Sequence, residues 1–236
     1  DIRLSLVGSE MCIRDRECIM KISLLGGTGS FAEGLAIRWA KAGHEILIGS
    51  RKIEKAQEEV GKMLETAKAQ GIEANIVGYE NAEAAKNSEV VVVCLPPEYT
   101  KSTLESMSDS FTNQLVISPV VPMSFGAVVS YNPPDAGSAA IEIQNTLPDS
   151  VNVVSAYHNI PAKGLASFEK PLDYDVVICG DNDDAKALTT KLTEEMPSLK
   201  AIDAGPLEIS SMIEAITPLI INLNKKHKHE FSIKFI

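Results

Sequence analysis

A glycine-rich turn between an apolar run and a helix-like stretch constrains this chain most. The run Ile22–Leu25 is followed by Gly27-Thr28-Gly29-Ser30-Phe31-Ala32, which has the spacing G-x-G-x-x-G/A. In that spacing Gly27 permits a tight turn, Gly29 lets the backbone approach a ligand, and the small Ala32 lets helix and strand pack closely. The pattern predicts that the helix N-terminus binds the pyrophosphate of a dinucleotide. The alternative is that the glycines only form a turn.

The residues after the second strand indicate which dinucleotide it is. About 20 residues past the glycines, a site for NAD carries Asp or Glu for the ribose hydroxyls. Here the chain reads Gly49-Ser50-Arg51-Lys52, with Lys55 shortly after. A hydroxyl and two cations suit a 2′-phosphate, so the predicted ligand is NADP. The alternative is that Arg51 and Lys55 are solvated charges at a helix start.

Composition excludes several classes of protein. The 236 residues include 22 basic and 32 acidic side chains, a net charge of −10, which argues against nucleic acid as a partner. No apolar run approaches the ~20 residues of a membrane span. The four cysteines show no C-x-x-C spacing, which fits a reducing cytoplasm.

The first 19 residues do not fit the rest of the chain. They have no periodicity that joins the first strand, and Met20 precedes that strand directly. The stretch resembles a translated cloning adapter, and its charges leave no apolar core for a signal peptide. We therefore expect residues 1–19 to be a non-native or disordered tail and residues 20–236 to be one NADP-binding oxidoreductase domain.

Strand-like and helix-like segments alternate through that domain. This pattern predicts a Rossmann-type, doubly wound α/β fold with a mainly parallel sheet and right-handed crossovers, followed by a short C-terminal extension. The expected strands are 21–25, 45–48, 74–77, 89–95, 115–118, 151–156, 175–179 and 199–202, and the expected helices are 30–42, 53–70, 139–146 and 183–195. Residues 210–224 are apolar on most faces, which predicts a helix buried under the sheet or against another subunit, and so favours a homodimer.

Ligands of such sheets bind beyond the carboxyl ends of the strands. The loops expected there are 26–31, 50–55, 95–99, 118–124, 157–162 and 203–207. Four of them carry prolines, which stiffen a loop, and their apolar residues predict a mostly apolar slot. His158 lies in one of these loops, where it could bind a cofactor ring, titrate near neutral pH, or only hold backbone carbonyls.

Other polar clusters have simpler interpretations. The Asp-rich stretch 181–184 is typical of a helix N-terminus rather than of a cation site. The stretch Asn224–Glu230 is typical of a solvated basic turn rather than of a metal site, and we expect no metal. No nucleophile–base–orienter set is visible, so no residue is assigned a certain catalytic role, and hydride transfer needs little acid–base machinery.

From Met20 to Ile236 the chain resembles the NADPH-dependent coenzyme F420 reductases of archaea and some bacteria. The similar stretches are LLGGTG with GLAIR, GHEILIGSR followed by Lys55, SPVVP, HNIPA, CGD, DAGPL and TPLI. The resemblance implies reversible hydride transfer between NADP(H) and the deazaflavin coenzyme F420, which carries a glutamate tail. It implies that NADP is held by Thr28, Ser30, Phe31, Ser50, Arg51 and Lys55, with Leu95, Val121 and Ala162 at its nicotinamide end. It places the deazaflavin against His158, Ile160, Pro161 and Leu207.

The sequence leaves several questions open. Tyr99 stands where the family commonly has His, and the basic turn Lys225–Lys228 is unlike the family, so neither has an assigned role. The direction of transfer, the length of the glutamate tail and the oligomeric state are undetermined. The alternatives are an NADPH-dependent reductase of an imine, a ketone or a ferric chelate, with His158 or Tyr99 as proton donor, and a non-catalytic NADPH-binding module.

Overall fold

A computed structural model of the chain describes residues 19–168 and 171–236. Residues 1–18, which make up nearly all of the predicted tail, lie outside the described part. Ile19 is exposed, whereas Met20 is buried and its backbone N–H donates to Nδ1 of His44 at 3.2 Å. The packed part of the described chain therefore begins at Met20.

Eight strands form one sheet: β1 (Lys21–Leu25), β2 (Glu45–Ser50), β3 (Asn75–Glu80), β4 (Val90–Val93), β5 (Leu115–Ser118), β8 (Asn152–Ser155), β9 (Tyr174–Gly180) and β10 (Leu199–Asp203). Their order across the sheet is β10-β9-β8-β5-β4-β1-β2-β3. A two-residue pair, β6 (Met123–Ser124) and β7 (Ser130–Tyr131), forms a separate antiparallel hairpin. The six neighbouring strands β3, β2, β1, β4, β5 and β8 are parallel to one another.

Helices cover both faces of this sheet. They are α1 (Ser30–Lys41), α2 (Ile53–Ala69), α3 (Asn81–Lys86), α4 (Pro97–Ser106), α5 (Ala139–Thr146), α6 (Ala162–Ala166), α7 (Asp183–Glu194), α8 (Ser210–Glu214) and α9 (Ile216–His227). One core lies between the sheet and α1, α2 and α7, around Trp39, and the other lies under α3, α4 and α5, around Leu104. The predicted doubly wound Rossmann-type fold is confirmed.

The last two strands of the sheet run against the others. β9 pairs with β8 antiparallel, with Val154 opposite Gly180, and β10 is parallel to β9. In its described residues, the link from β8 to β9 contains one helix, the five-residue α6, and it returns to the sheet at the edge where β8 ended. The sheet is mainly parallel, as predicted, and β9 and β10 are the exception, because no helix of crossover length in the described residues carries the chain to the opposite edge.

The C-terminal extension is formed by two helices, where we predicted a single helix. They are α8 and α9, and Met212 and Leu219 on them are 72% and 58% exposed. In this chain α9 is therefore not covered by the sheet. It packs against the hairpin instead, since the side-chain amide of Asn222 bonds both N–H and C=O of Val129.

A buried carboxylate ties this extension to the sheet layer. Glu214 of α8 is fully buried and accepts the backbone N–H groups of Ala139 and Ala140, each at 3.0 Å, and the hydroxyl of Tyr131 at 2.7 Å. Burial raises the pKa of Glu214, and these hydrogen bonds oppose that shift. The contacts hold α8, the hairpin and the start of α5 together.

None of the helices in residues 19–168 and 171–236 combines the length and the apolarity that a membrane span requires.

Candidate functional site

The glycine turn lies at the carboxyl end of β1, as the sequence predicts. Gly26 has φ +67°, a left-handed conformation that favours glycine, and the N–H of Gly27 donates to the carbonyl of Gly49 on β2 at 3.1 Å. A Cβ on Gly27 would lie 2.7 Å from the carbonyl oxygen of Leu24, so a larger residue would displace the turn.

Open space surrounds the second glycine of the motif. A Cβ on Gly29 would meet no heavy atom within 4 Å, and no described side chain caps α1 at this residue. The first N–H groups of a helix have no partner within it, and the helix dipole favours an anion there. The turn therefore has both the room and the donors for a phosphate group.

Asn81 supports the turn and was missed by the sequence analysis. Its side-chain oxygen accepts the N–H of Gly26 at 3.1 Å, and the residue is buried at the start of α3. The third strand is three residues longer at its C-terminal end than predicted and runs directly into α3. The only signal is an Asn after a strand, which is too common to identify a loop support.

The predicted 2′-phosphate residues lie beside this turn. Ser50 ends β2 and is buried, and β2 pairs with β1 so that Gly49 lies opposite Leu25. Arg51 and Lys55 are exposed, and neither forms an ion pair within the described part of the chain. Their charges are thus available to an anionic ligand.

A cleft of about 290 Å³ opens at the carboxyl ends of β1, β4, β5 and β8. Its walls hold no Asp, Glu, Lys or Arg side chain. The lining residues are Gly26, Gly29, Phe31, Ala32, Val93, Cys94, Leu95, Pro97, Pro119, Val120, Val121, Met123, Tyr157, His158, Ile160 and Thr217. The predicted mostly apolar slot is therefore present, and it begins at the glycine turn.

A second cavity, of about 580 Å³, adjoins the first. The two share Pro97, Val120, Val121 and Met123. The second cavity extends between the start of α4, the hairpin and the start of α5, with Glu98 and Glu142 among its lining residues. The two cavities are therefore neighbours on either side of the four shared residues.

His158 is the polar side chain buried in the cleft. Its ring nitrogens have no hydrogen-bond partner within the described structure, and desolvation by burial lowers its pKa to about 3. The ring is therefore neutral at physiological pH, which argues against titration near neutrality. It holds no backbone carbonyl either, so binding a ligand is the use that fits its surroundings.

The backbone around His158 is fastened on both sides. Tyr157 has φ 69°, and its hydroxyl lies 2.8 Å from the Thr193 hydroxyl while its ring meets Trp39 edge to face. On the other side Thr217 of α9 donates its hydroxyl to the carbonyl of His158 at 2.7 Å. A left-handed Tyr costs about 1–2 kcal/mol, and these contacts offset that strain and orient the His158 loop.

The predicted site residues separate into four groups. Phe31, Leu95, Val121, His158 and Ile160 line the cleft, as does Gly29. The second group lies at the glycine turn with the start of α1, and at the end of β2 with the start of α2: Gly27, Thr28, Ser30, Ser50, Arg51 and Lys55. Pro161 and Ala162 line a separate cavity of about 400 Å³ that begins one residue after Ile160. Leu207 stands apart from all of these.

Leu207 lies away from the cleft. Because β10 runs against the parallel strands, the loop after it lies at the opposite edge of the sheet from the glycine turn. Leu207 is buried there, with its N–H donating to Asp181, in the core under α5. It packs the core and does not reach the cleft. Tyr99, which is 55% exposed on α4, does not line the cleft either.

The cysteine in the cleft is neutral. Burial raises the pKa of the Cys94 thiol to about 12, so it is not a nucleophile. No group of three or more His, Cys, Asp or Glu side chains in the described ranges is arranged to hold a metal ion. With a neutral His158 and a neutral Cys94, the cleft suits uncharged, planar ligand groups.

The model of the family "NADP oxidoreductase coenzyme F420-dependent" matches residues 21–122. The chain is 44% identical over 214 residues to the F420-dependent NADP reductase of Methanocaldococcus jannaschii, covering 89% of this chain and 94% of that protein. It is 39% identical over 213 residues to the enzyme of the same name from Methanothermobacter marburgensis, again covering 89% and 94%.

Solved structures share the fold. A candidate F420-dependent NADP reductase from Arthrobacter sp. FB24 superposes with a TM-score of 0.77 at 22% identity, covering 92% of this chain and 100% of that one. An imine reductase from Bacillus cereus gives a TM-score of 0.60 at 16% identity, covering 88% of this chain and 63% of that one.

Proposed function

The chain belongs to the F420-dependent NADP reductase family, and on that premise we propose that it transfers a hydride reversibly between NADP(H) and the deazaflavin coenzyme F420. NADP and F420 are its two redox substrates. The observation that carries this proposal is the uncharged cleft, which begins at an open phosphate-binding turn and ends at a neutral, unpartnered His158.

NADP fits the residues at the turn. The helix N-terminus beyond Gly29 accepts the pyrophosphate, and the cations Arg51 and Lys55 accept the 2′-phosphate. The remaining residues that we assign to NADP are Gly27, Thr28, Ser30, Phe31, Ser50, Leu95, Val121 and Ala162. The assignment is supported by the empty space at Gly29 and by the absence of ion pairs at the two cations within the described residues.

We assign His158, Ile160 and Pro161 to the deazaflavin. His158 offers one donor and one acceptor nitrogen, which can bond the polar edge of a ring, and burial keeps it neutral. Leu207 is left out because it lies at the opposite edge of the sheet. The adjoining cavity next to Val121 leaves room for a second ring system beside the first.

The two ligands supply the hydride donor and the hydride acceptor, and the protein positions their rings and excludes water from them. The apolar walls exclude water, and the stiff proline-bearing loops hold their shape without a ligand. Tyr157 and Thr217 hold the His158 loop from both sides, so they act as positioning residues. Reduction of an imine or a ketone would also need a proton donor. Tyr99 lies outside the cleft, and the pKa of His158 is too low for its ring to be a protonated imidazolium acid at neutral pH.

We propose further that the protein is an archaeal-type homodimer located in the cytoplasm. Four large apolar side chains on the hairpin and the C-terminal helices are exposed: Phe125, Val128, Met212 and Leu219. Exposed apolar groups on neighbouring elements favour a subunit interface. The free thiols Cys94 and Cys179 fit a reducing compartment, and the identity with the M. jannaschii enzyme supports the archaeal type.

The test is to follow the transferred hydride. NADPH carrying deuterium at the transferred C4 position is mixed with oxidised F420, and the label is located by mass spectrometry. We expect the F420 absorbance band to bleach and the deuterium to appear at C5 of the deazaflavin, because direct transfer between stacked rings does not exchange with water. Deuterium lost to solvent, or no bleaching, would contradict the proposal. Tight NADPH binding without any turnover would instead favour a binding module.

A further inference from the structure

A basic surface lies at the C-terminal end of α9, whereas Thr217 at the start of this helix lines the cleft. Lys163 on α6 and Lys225, Lys226 and Lys228 at the end of α9 are exposed, and His227 and His229 lie among them. None of these four lysines has an ion-pair partner in the described chain. We call these four lysines the basic end. They stand out on a protein whose net charge is −10.

The basic end borders a separate cavity, whose lining begins one residue after Ile160 of the cleft. This cavity, of about 400 Å³, is lined by Pro161, Ala162, Lys163, Asn224, Lys228, His229 and Glu230. Ile160, which lines the cleft, directly precedes Pro161 in the chain. Glu230 is the single carboxylate in this lining, and it accepts the Tyr174 hydroxyl at 3.4 Å. The cavity that begins beside Ile160 is therefore bordered by lysines from two elements, α6 and the end of α9.

Helix α9 sets the distance between the two places. Thr217 in its first turn lines the cleft, and Lys228 follows its last residue, His227. Eleven residues at a helical rise of 1.5 Å correspond to about 16 Å. Coenzyme F420 carries its negative charges at a distance from the ring, because a ribityl chain separates the ring from a phosphodiester and the glutamates follow that. Lys228 is thus set apart from the cleft along α9, as the negative charges of the coenzyme are set apart from its ring.

Side-chain and backbone contacts connect the basic end to the loop that carries His158. Phe231 stacks edge to face with His227 and His229, and its N–H donates to Asn224 at 2.7 Å. The next residue, Ser232, donates its hydroxyl to the carbonyl of Asn159 at 3.0 Å. The turn after α9 is thus fastened to the loop that carries His158.

Favourable interaction with the helix dipole explains why some of these lysines lie at the end of α9. Cations stabilise the last turn of a helix, which accounts for Lys225 and Lys226. It does not account for Lys163, which belongs to another helix and lines the same cavity as Lys228. Two elements that bring unpaired cations to one cavity point to an anionic ligand.

We infer that the basic end binds the acidic tail of the deazaflavin coenzyme, that is, its phosphodiester and glutamate carboxylates. The inference rests on the proposed function. It means that this chain distinguishes the coenzyme that bears a glutamate tail from a deazaflavin that has only the ring and the ribityl group.

The test compares these two substrates in a triple variant. Lys225→Gln, Lys226→Gln and Lys228→Asn are combined, with Asn at 228 because the φ of 51° there tolerates it. We expect the KM for the tailed coenzyme to rise about 10-fold, since three exposed charge contacts are lost. The KM for the tail-free deazaflavin, the KM for NADPH and kcat should stay the same. A matched control, Lys68→Gln with Lys86→Gln and Lys200→Gln, removes three exposed lysines elsewhere and should change none of these values.

A wild-type measurement covers the case in which the triple variant does not fold. Salt screens exposed charges, so the KM for the tailed coenzyme should rise from low to high salt while that for the tail-free form stays flat. Equal KM values for both substrates, without a salt effect or a change in the triple variant, would overturn this inference and leave the proposed function standing. No turnover with either deazaflavin would overturn the proposed function itself.

Discussion

Replacing Arg51 with Ala tests how the protein selects NADP. Arg51 is exposed, lies one residue after the end of β2, and has no ion-pair partner in the described residues. Nothing inside the protein therefore needs to rearrange when the side chain is removed. A hydrogen bond to a charged group contributes about 1.5–3 kcal/mol, which corresponds to about a 10- to 150-fold change in Kd. Because the site is exposed, we expect the lower half of that range.

The assay is a pair of titrations. The Kd values of NADP and NAD are measured by calorimetry for the wild type and for Arg51→Ala. NAD lacks the 2′-phosphate, so its Kd should change by less than about twofold. The matched control is Lys68→Ala, an exposed cation at the other end of α2, which should leave both Kd values unchanged.

Equal weakening of both nucleotides would refute this reasoning. It would mean that Arg51 shapes the loop after β2 or contacts a group that both nucleotides have. No change in either Kd would show that Arg51 is a solvated charge at the helix start, which is the alternative that the sequence left open.

Three further predictions concern stability. A chain shortened to begin at Met20 should keep its activity and melt within about 2 °C of the full chain, because Met20 is buried while Ile19 is exposed. The melting temperature is measured by calorimetry, and a larger drop would show that residues 1–19 contribute to the fold. The folded state holds the pKa of His158 near 3, below its unfolded value, so its contribution to stability is complete above pH 6.5 and is lost as pH falls. Urea unfolding should therefore show the wild type losing about 1.4 kcal/mol per pH unit below 6.5 relative to His158→Gln, and parallel curves would contradict the burial of this ring. Glu214→Ala should lower the free energy of unfolding by about 2–4 kcal/mol, because it leaves two buried N–H groups and a hydroxyl without an acceptor, whereas the exposed Glu65→Ala should have little effect; equal melting temperatures would count against it.

Several elements could be predicted because their signals are local. The strands Lys21–Leu25 and Leu115–Ser118 and the helix Ala139–Thr146 have the predicted bounds, since an apolar run or a cap marks each end. At α5 that cap is Ser138, whose hydroxyl accepts the N–H of Ile141. The short helices α3, α4 and α6 were missed. Five to ten residues beside prolines or strand ends carry too little periodicity to be recognised.

By itself, the sequence predicted the glycine turn at the end of β1 and NADP as the dinucleotide. These depend on glycine conformation and on charge within one strand–turn–helix–strand unit, and the resemblance of the whole chain indicated the second coenzyme. The reversal of β9 was decided only by the tertiary structure, and with it the removal of Leu207 from the site. The same is true of the support from Asn81 and of the neutral state of His158. Asn81 bonds Gly26 across 55 residues, and Thr217 bonds His158 across 59. Such contacts depend on which segments the fold brings together, and no local pattern of residues records that.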